Sequence, residues 1–183
     1  MGECIKIWIG DLALDVFEAV RTRRSIRKYK NKPVEKEKLL KILEAARLSP
    51  SACNNQHWHF IVVTDKEVRE KLFPAYNRDW FVKAPVVIVV CSTPSKAWSR
   101  QDGEEYWKVD AAIAMQSMVL VAQELGLGTC WIAAFKEDRV KAALRIPEEV
   151  RPVALTPLGY PAEHKEPVKE RKPMEEIVHF EYW

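Results

Sequence analysis

Apolar residues recur at helical spacing in several parts of the chain. Leu39, Ile42, Leu43 and Ala46 lie on one face of a helix, and Pro33 precedes them, so the pattern predicts an amphipathic helix. The same kind of spacing predicts helices over residues 14–22, 35–47, 66–73, 106–125 and 137–145. The longest of these is apolar on almost every side, which is typical of a core helix that also contacts another subunit.

Short apolar runs between these helices predict four β-strands, over residues 58–64, 85–91, 129–134 and 152–158. The first two are apolar at consecutive positions, which indicates a sheet covered on both faces. Together with the helices, the strands predict an α+β or α/β sandwich around one central sheet. The polar loop at 92–105 is long enough to be a lid or a binding loop, or else a plain excursion.

The composition fits one domain with a sizeable core. The chain has 183 residues, of which 48% are hydrophobic and 30% charged, and its net charge of +3 is too small to indicate a nucleic-acid partner. No run of eighteen apolar residues suggests a membrane span, and the first residues lack the pattern of a signal peptide. We therefore expect a cytoplasmic protein with a core domain at 14–161, an N-terminal extension at 1–13 and a C-terminal arm at 162–183.

The C-terminal arm combines the features of a linker with those of a docking segment. It is rich in Pro, Lys and Glu, but residues 177–183 at its end are mostly apolar and aromatic. Disordered tails rarely end in such a run. We therefore expect the arm to dock on other structure, for example as an added strand.

Several familiar kinds of site are disfavoured by the sequence. It has neither a GxGxxG motif nor a P-loop, and its four cysteines show no paired spacing. His57 and His59 alternate along a predicted strand, but no third ligand accompanies them, which argues against a metal site. Cys53 has no basic partner at an informative spacing, so a nucleophilic role is not favoured.

Two basic clusters near opposite ends of the chain are the strongest indication of a binding site. The first comprises residues 23–27, which combine three arginines with Ser25, and the second comprises residues 169–172. Guanidinium groups and a hydroxyl suit a phosphate group, although the first cluster, taken alone, is more often a solvated charge group at a helix end. If folding brings the clusters together, they would hold one small anion. Residues 49–56 supply small and amide side chains that could line its uncharged part.

Four sequence blocks in a fixed order carry a resemblance to a known family. They are residues 23–27 (RRSIR), residues 49–56 (SPSACNNQ) with Trp58 and Phe60, residues 110–132 (from DAAIA to LGLGTCWI), and residues 158–161 (LGYP) followed by Lys169 and Arg171. Each block is weak alone, but together they are specific. Over residues 14–180 the chain resembles the FMN-dependent nitroreductase family.

This resemblance implies an α+β, three-layer sandwich in which helices flank a central mixed β-sheet. It also implies a homodimer with two FMN sites at the subunit interface, in which each C-terminal arm packs on the partner and extends the partner's sheet. FMN would be the bound cofactor and NADH or NADPH the electron donor, whereas no metal, nucleic acid or membrane partner is expected. The chemistry would belong to N5 of the flavin and not to a catalytic side chain.

The resemblance also implies which residues contact the phosphate side of the cofactor. Arg23 and Ser25 resemble contacts to the phosphate and the ribityl chain, and Arg24 belongs to the same set. Lys169 and Arg171 resemble the second half of a phosphate clamp. The two basic clusters would therefore meet on one phosphate group.

On the ring side, Arg27 resembles the cation that faces N1 and O2 of the flavin. The wall contributed by the other subunit would comprise Pro50, Ser51, Ala52, Asn54 and Gln56. The backbone of Trp131, Ile132, Ala133 and Ala134 would lie along the isoalloxazine, with an amide near Ala133 reaching N5. Many relatives have Gly or Glu-Gly where this chain has the two alanines, so their methyl groups would narrow the space over N5.

The implied activity is a ping-pong transfer of two electrons from NADH or NADPH through FMN to a nitroaromatic, a quinone or a similar acceptor. No general acid stands out in the sequence, so we expect solvent to supply the proton. Dehalogenases and a flavin-fragmenting enzyme share the fold and remain alternatives. So do a flavin-binding or sensing protein without turnover, and an FMN-free interaction module whose basic clusters bind an acidic partner.

Overall fold

Four antiparallel strands form the central sheet of the protein. The computed structural model describes residues 15–183, so the predicted N-terminal extension, Leu14 and Cys4 lie outside the described residues. The strands are β1 (Trp58–Val63), β2 (Val86–Ser92), β3 (Gly128–Thr129) and β4 (Arg151–Gly159). Their order across the sheet is β1-β2-β4-β3, and each neighbouring pair is antiparallel.

Six α-helices lie around this sheet within the described residues. They are α1 (Val16–Thr22), α2 (Lys36–Arg47), α3 (Lys66–Glu70), α4 (Asp79–Val82), α5 (Trp107–Glu124) and α6 (Glu137–Leu144). Short 3-10 turns occur at Ala52–Asn54, Pro94–Lys96 and Met174–Glu176. None of the helices in residues 15–183 combines the length and the apolar character needed to cross a bilayer.

Alternate residues of β2 face two separate layers of the core. Val86, Ile88 and Val90 pack among buried residues of α2 and α5, whereas Val87 and Val89 pack among buried residues of α4 and α6. Every residue of β2 is buried, as the continuous apolar run predicts. The expectation of an α+β sandwich with helices on both sides of one sheet is therefore confirmed.

The third predicted strand is wrong in its length. A strand over 129–134 was expected, but β3 ends at Thr129, and a single bridge between Ile132 and Leu155 follows it. The ladder breaks because the amide of Cys130 donates to the hydroxyl of Thr156 at 3.4 Å, and because the neighbouring Pro157 has no amide to donate. The sequence also gave no sign of the four-residue helix α4.

One parallel contact joins the first basic cluster to the sheet. Ser25 forms a parallel bridge with Thr129, next to the antiparallel strands, and this is the parallel pairing that the described residues contain. A second bridge joins Tyr29 to Pro161, the residue just before the C-terminal arm. The cluster is therefore attached to the edge of the sheet, not to a mobile tail.

The C-terminal arm lies exposed in the single chain. Residues 164, 166 and 168–183 are all exposed, and the turn at Met174–Glu176 is the regular element that the arm contains. Phe180 is 81% exposed and Trp183 is fully exposed. The arm forms no strand within this chain, so its docking on a second copy stays a prediction.

Candidate functional site

The first basic cluster opens into a small cavity at the end of α1. Arg23, Arg24 and Ser25 line it on one side, and Trp131 lies on another. The cavity has a volume of about 300 Å³, and its remaining lining residues are Gln116, Val119 and Thr129. Four of the predicted site residues therefore meet in one place.

The cluster is held by the sheet edge through its one apolar member. Ile26 is buried, and its amide donates to the carbonyl of Thr129 at 2.8 Å. A methyl group at Gly128 would come within 2.7 Å of the Ile26 side chain, so only glycine permits this close approach. Tyr29 donates from its hydroxyl to the Ile26 carbonyl at 2.6 Å, and burial raises the pKa of this phenol, which keeps it protonated.

Among the described residues, no carboxylate pairs with the side chains of the three arginines in the first cluster. Two residues before the cluster, Arg21 donates to both carboxylate oxygens of Glu18, at 2.6 and 2.7 Å. Within residues 15–183, by contrast, the side chains of Arg23, Arg24 and Arg27 form no salt bridge. The cavity therefore has unsatisfied positive charge, which favours an anionic ligand.

The base of the C-terminal arm contacts the same cluster. Lys165 donates from Nζ to the carbonyl of Ser25 at 2.8 Å and forms an ion pair with Glu163 at 3.0 Å. Glu163 in turn accepts from the Arg27 amide at 2.6 Å. Although burial raises the pKa of Glu163, the Arg27 amide and the Lys165 ammonium outweigh it and hold the pKa below its ordinary value.

The second basic cluster does not join the first in the single chain. Lys169 and Arg171 are both exposed, and Arg171 donates to the carbonyl of its neighbour Glu170 at 2.8 Å. Lys169 follows Lys165 by four residues. Four residues of extended chain span about 13–14 Å. The predicted convergence of the clusters is therefore within reach of the chain and stays a prediction.

The proposed partner wall is a tightly turned loop. Cys53, Asn54 and Gln56 all have positive φ, at 52°, 55° and 48°, which is uncommon for residues other than glycine. The hydroxyl of Ser51 accepts from the Gln56 amide at 3.0 Å and closes the turn. Pro50, Asn54 and Gln56 are exposed, and Ser51 and Ala52 are half-buried, so the loop presents its side chains outward.

A buried polar network fixes this loop to α5. Asp110 accepts from the amide of Ala52 at 3.2 Å with both carboxylate oxygens. Nε2 of His57 lies 2.8 Å from Asp110, and its Nδ1 lies 2.8 Å from the hydroxyl of Ser92. The side chains of His57 and Asp110 are 0% and 3% exposed. Buried polar groups need such partners, and here they anchor a loop that backbone strain would otherwise loosen.

Residues 131–134 form the exposed continuation of β3. Ile132 is buried, and its amide and carbonyl each bond to Leu155 at 2.9 Å. Trp131 is 39% exposed, and Ala133 and Ala134 are also exposed. One buried residue therefore holds a short stretch of backbone at the surface, next to the cavity of the first cluster.

Some residues of the site have roles that the sequence analysis missed. Gln116 and Thr129 line the cavity, and Lys165 of the arm contacts the carbonyl of Ser25. The sequence argues against a metal role for His57 but does not reveal its partner, which is Asp110. A useful signal was present, because a lone carboxylate at the start of an otherwise apolar core helix needs a buried partner. Within residues 15–183, no three potential ligands gather as a metal site would require.

Comparisons with known proteins extend over the same elements. A family model described as the nitroreductase family matches residues 20–80 and 74–160. A protein of Methanothermobacter thermautotrophicus, named for NADH dehydrogenase and NAD(P)H nitroreductase, is 44% identical over 156 residues, covering 82% of this chain and 80% of that protein. The residues matched by the family model include the first basic cluster, the loop at 50–56 and residues 131–134.

Two further relatives carry names that mention the flavin. A Bacillus subtilis protein named FMN reductase (NAD(P)H) is 31% identical over 184 residues, covering 91% of this chain and 74% of that protein. The solved structure of an FMN-dependent nitroreductase from Clostridium difficile is 34% identical, with a TM-score of 0.79 over 90% of this chain and 98% of that one. The likeness therefore holds for fold and sequence together.

Proposed function

Because this chain belongs to the nitroreductase family and is an NAD(P)H oxidoreductase, we propose that it binds FMN. It passes two electrons from NADH or NADPH to a nitroaromatic, a quinone or a similar acceptor in a ping-pong cycle. The observation that carries this proposal is the cavity lined by Arg23, Arg24, Ser25 and Trp131, in which two guanidinium groups have no carboxylate partner among the described residues.

The charge and the hydrogen-bond donors of the cavity suit the phosphate end of FMN. Two guanidinium groups neutralise a phosphate dianion, and the hydroxyl of Ser25 adds a neutral hydrogen bond. Each charge-assisted bond contributes about 1.5–3 kcal/mol where water is partly excluded. Arg23 and Arg24 are half-buried, so their bonds to phosphate are partly shielded from solvent.

The ring end of the cofactor would lie toward residues 131–134. FMN, when bound, supplies the hydride-accepting and electron-donating chemistry. Ala133 and Ala134 are exposed, so a planar donor or acceptor could reach that face of the ring. Since alanine cannot donate a proton, solvent would supply the proton that the reaction needs. The exposed guanidinium of Arg27, which lies 5.9 Å from the centre of the Trp80 ring, would stabilise negative charge on the nearby ring nitrogen.

The complete site requires a second copy of the chain. Val16 and Phe17 on α1 are 74% and 76% exposed, and Ile113 on α5 is 38% exposed. Together with the apolar end of the arm, these exposed apolar residues suit a surface that a second subunit covers. In the proposed homodimer this surface is covered, the loop at 50–56 closes the partner's flavin site, and the arm at 162–183 packs on the partner's core domain at 14–161.

A single preparation tests the proposal. Purified protein is supplied with FMN, freed of excess cofactor, and followed by flavin absorbance under anaerobic conditions while NADH or NADPH is added. The account predicts a yellow protein whose absorbance bleaches with at least one donor and returns when a quinone is added.

The other outcomes separate the alternatives. A yellow protein that neither donor bleaches would be a flavin-binding protein without this activity. A protein that takes up no FMN would remove the flavin proposal and leave an FMN-free module. Release of halide from a halogenated phenol, or breakdown of the flavin itself, would move the chain to one of the other reactions of this fold.

A further inference from the structure

A second cleft lies beside the exposed end of residues 131–134. Two segments form it, residues 73–78 before α4 and residues 134–139 at the start of α6. Its volume is about 900 Å³, three times that of the cavity at the first cluster. The side chains that matter here are Phe73, Tyr76, Arg78, Phe135, Lys136 and Arg139.

The cleft is positively charged, and its lining contains no carboxylate among the described residues. Arg78 and Lys136 form no salt bridge there, and Arg139 has one exposed contact, with Asp138 at 3.4 Å. Exposed pairs of this kind hold little energy, so all three cations remain available to a ligand.

Apart from Asp138, the carboxylates nearest in sequence pair with cations outside the cleft. Asp79 accepts from Lys83 at 3.2 Å, and Glu137 accepts from Arg151 at 2.8 and 3.0 Å. No side chain caps the first turn of α6, which begins at this cleft. The first turn of α6 already carries Glu137 and Asp138, which complement the helix dipole, so the attraction of an anion rests on the side-chain cations of the cleft.

The cleft adjoins the surface on which the flavin ring is proposed to lie. Ala134 belongs to both regions, and the amide of Lys136 donates to the carbonyl of Ala75 at 3.0 Å, which joins the two walls. On the other wall, Tyr76 packs edge-on against Trp80 at 5.8 Å, and Trp80 lies under Arg27. A ligand stacked beside residues 131–134 could therefore extend directly into the cleft.

We propose that this cleft binds the phosphate groups of the reduced dinucleotide donor and makes NADPH the preferred donor. The inference rests on the proposed function, because it needs the nicotinamide ring to lie against residues 131–134. The diphosphate of either donor suits Arg78 and Lys136, and the aromatic side chains suit the adenine. NADPH carries one phosphate group more than NADH. This additional dianion would be attracted by the three cations of the cleft, whose lining contains no carboxylate, so NADPH should bind more tightly.

An equilibrium measurement tests the cleft without turnover. The FMN-loaded protein is titrated with adenosine 2′,5′-bisphosphate and with adenosine 5′-monophosphate by calorimetry. We expect the bisphosphate to bind about tenfold more tightly. The double variant Lys136→Gln, Arg139→Gln should weaken bisphosphate binding by at least about tenfold, whereas Lys66→Gln, which removes an exposed cation on α3, should leave it unchanged.

Steady-state kinetics then separates this inference from the proposed function. The native protein should show a KM for NADPH well below that for NADH, and the double variant should raise the NADPH KM while kcat changes little. Bleaching by dithionite should be the same in both proteins. If the native protein is bleached by either donor but KM for NADPH equals that for NADH, or if the double variant behaves as native, the inference is wrong and the function stands. If neither donor bleaches the flavin, the function itself falls.

Discussion

The two basic clusters are similar in composition but differ in what supports them. The cluster at 23–27 is attached to the sheet edge through buried Ile26 and lines a cavity, whereas the cluster at 169–172 lies exposed on the arm. The first is therefore complete within one folded chain. The second cluster would be held in place only when the arm docks on another surface. A bound phosphate would then also help to hold it.

The contacts at the base of the arm reduce this difference. Lys165 and Glu163 already bind the first cluster through Ser25 and Arg27. The arm is therefore tethered at one end and exposed at the other. If the arm docks as proposed, half of the phosphate site would form on folding of one chain and half on assembly of two.

The largest expected effect comes from removing the exposed half. A chain that ends at residue 167 keeps Lys165 but lacks the second cluster and the apolar end. We expect it to be monomeric and to bind FMN at least about a hundredfold more weakly, a loss of about 2.7 kcal/mol. Sedimentation and FMN fluorescence titration measure the two effects.

A second variant separates charge from assembly. Replacing Ile177, Phe180 and Trp183 by serine keeps Lys169 and Arg171, and should abolish the dimer while the arm cations remain. The outcome that would contradict both predictions concerns the chain that ends at residue 167. If that chain is still a dimer and binds FMN with native affinity, the arm has no part in the site.

The loop at 50–56 extends the comparison, because it is supported from within the chain like the first cluster. His57→Phe would leave the buried carboxylate of Asp110 without its partner and should lower the free energy of unfolding by about 3–5 kcal/mol. Adding Asp110→Leu removes the stranded charge, so the double variant should recover much of the loss. Urea unfolding measures both, and a single variant within about 1 kcal/mol of native would contradict the role of the network.

The close approach between Gly128 and Ile26 tests the support of the first cluster itself. Gly128→Ala places a methyl group against Ile26 and should destabilise the protein by about 1–3 kcal/mol. Ile26→Ala removes most of the opposing side chain. In that background, Gly128→Ala should lower the free energy of unfolding by less than it does in the native protein. Strict additivity of the two unfolding free energies would show that this contact is not tight.

The smallest expected effect concerns Glu163 at the base of the arm. Its pKa lies below the ordinary 4.5 in the folded chain, so it contributes stability above that pH, which is lost as the pH falls through the folded value. Since Glu163 is partly exposed, the contribution should be below about 1 kcal/mol. The unfolding free energy of Glu163→Gln should therefore be lower than native at pH 7 and converge with it in acid, and a constant difference would contradict this assignment.

Regular patterns explain why much of the fold could be predicted from the sequence. The stripe of α2 and the apolar run of β2 each reflect a repeat that burial imposes on neighbouring residues. The end of β3 could not be found in this way, because it depends on Thr156 and Pro157 in another strand. Helix α4 is too short to show a repeat.

The site divides along the same line. The first basic cluster is a continuous segment whose residue types predict an anion site, whereas the ring-side role of residues 131–134 is implied only by the family resemblance. The partners of Asp110 and the cations of the second cleft come from segments far apart in sequence. No local pattern relates Arg78 to Arg139, so only the folded chain could bring them to notice.

The most direct test of the shared phosphate site compares FMN with riboflavin, which lacks the phosphate. Arg23→Ala and Arg171→Ala proteins are titrated with both flavins, with Arg21→Ala as the control because Arg21 is already paired with Glu18. The account predicts that each of the first two variants weakens FMN binding by about ten- to a hundredfold and leaves riboflavin binding unchanged. Native FMN affinity in Arg171→Ala, or an equal loss for both flavins in Arg23→Ala, would contradict it.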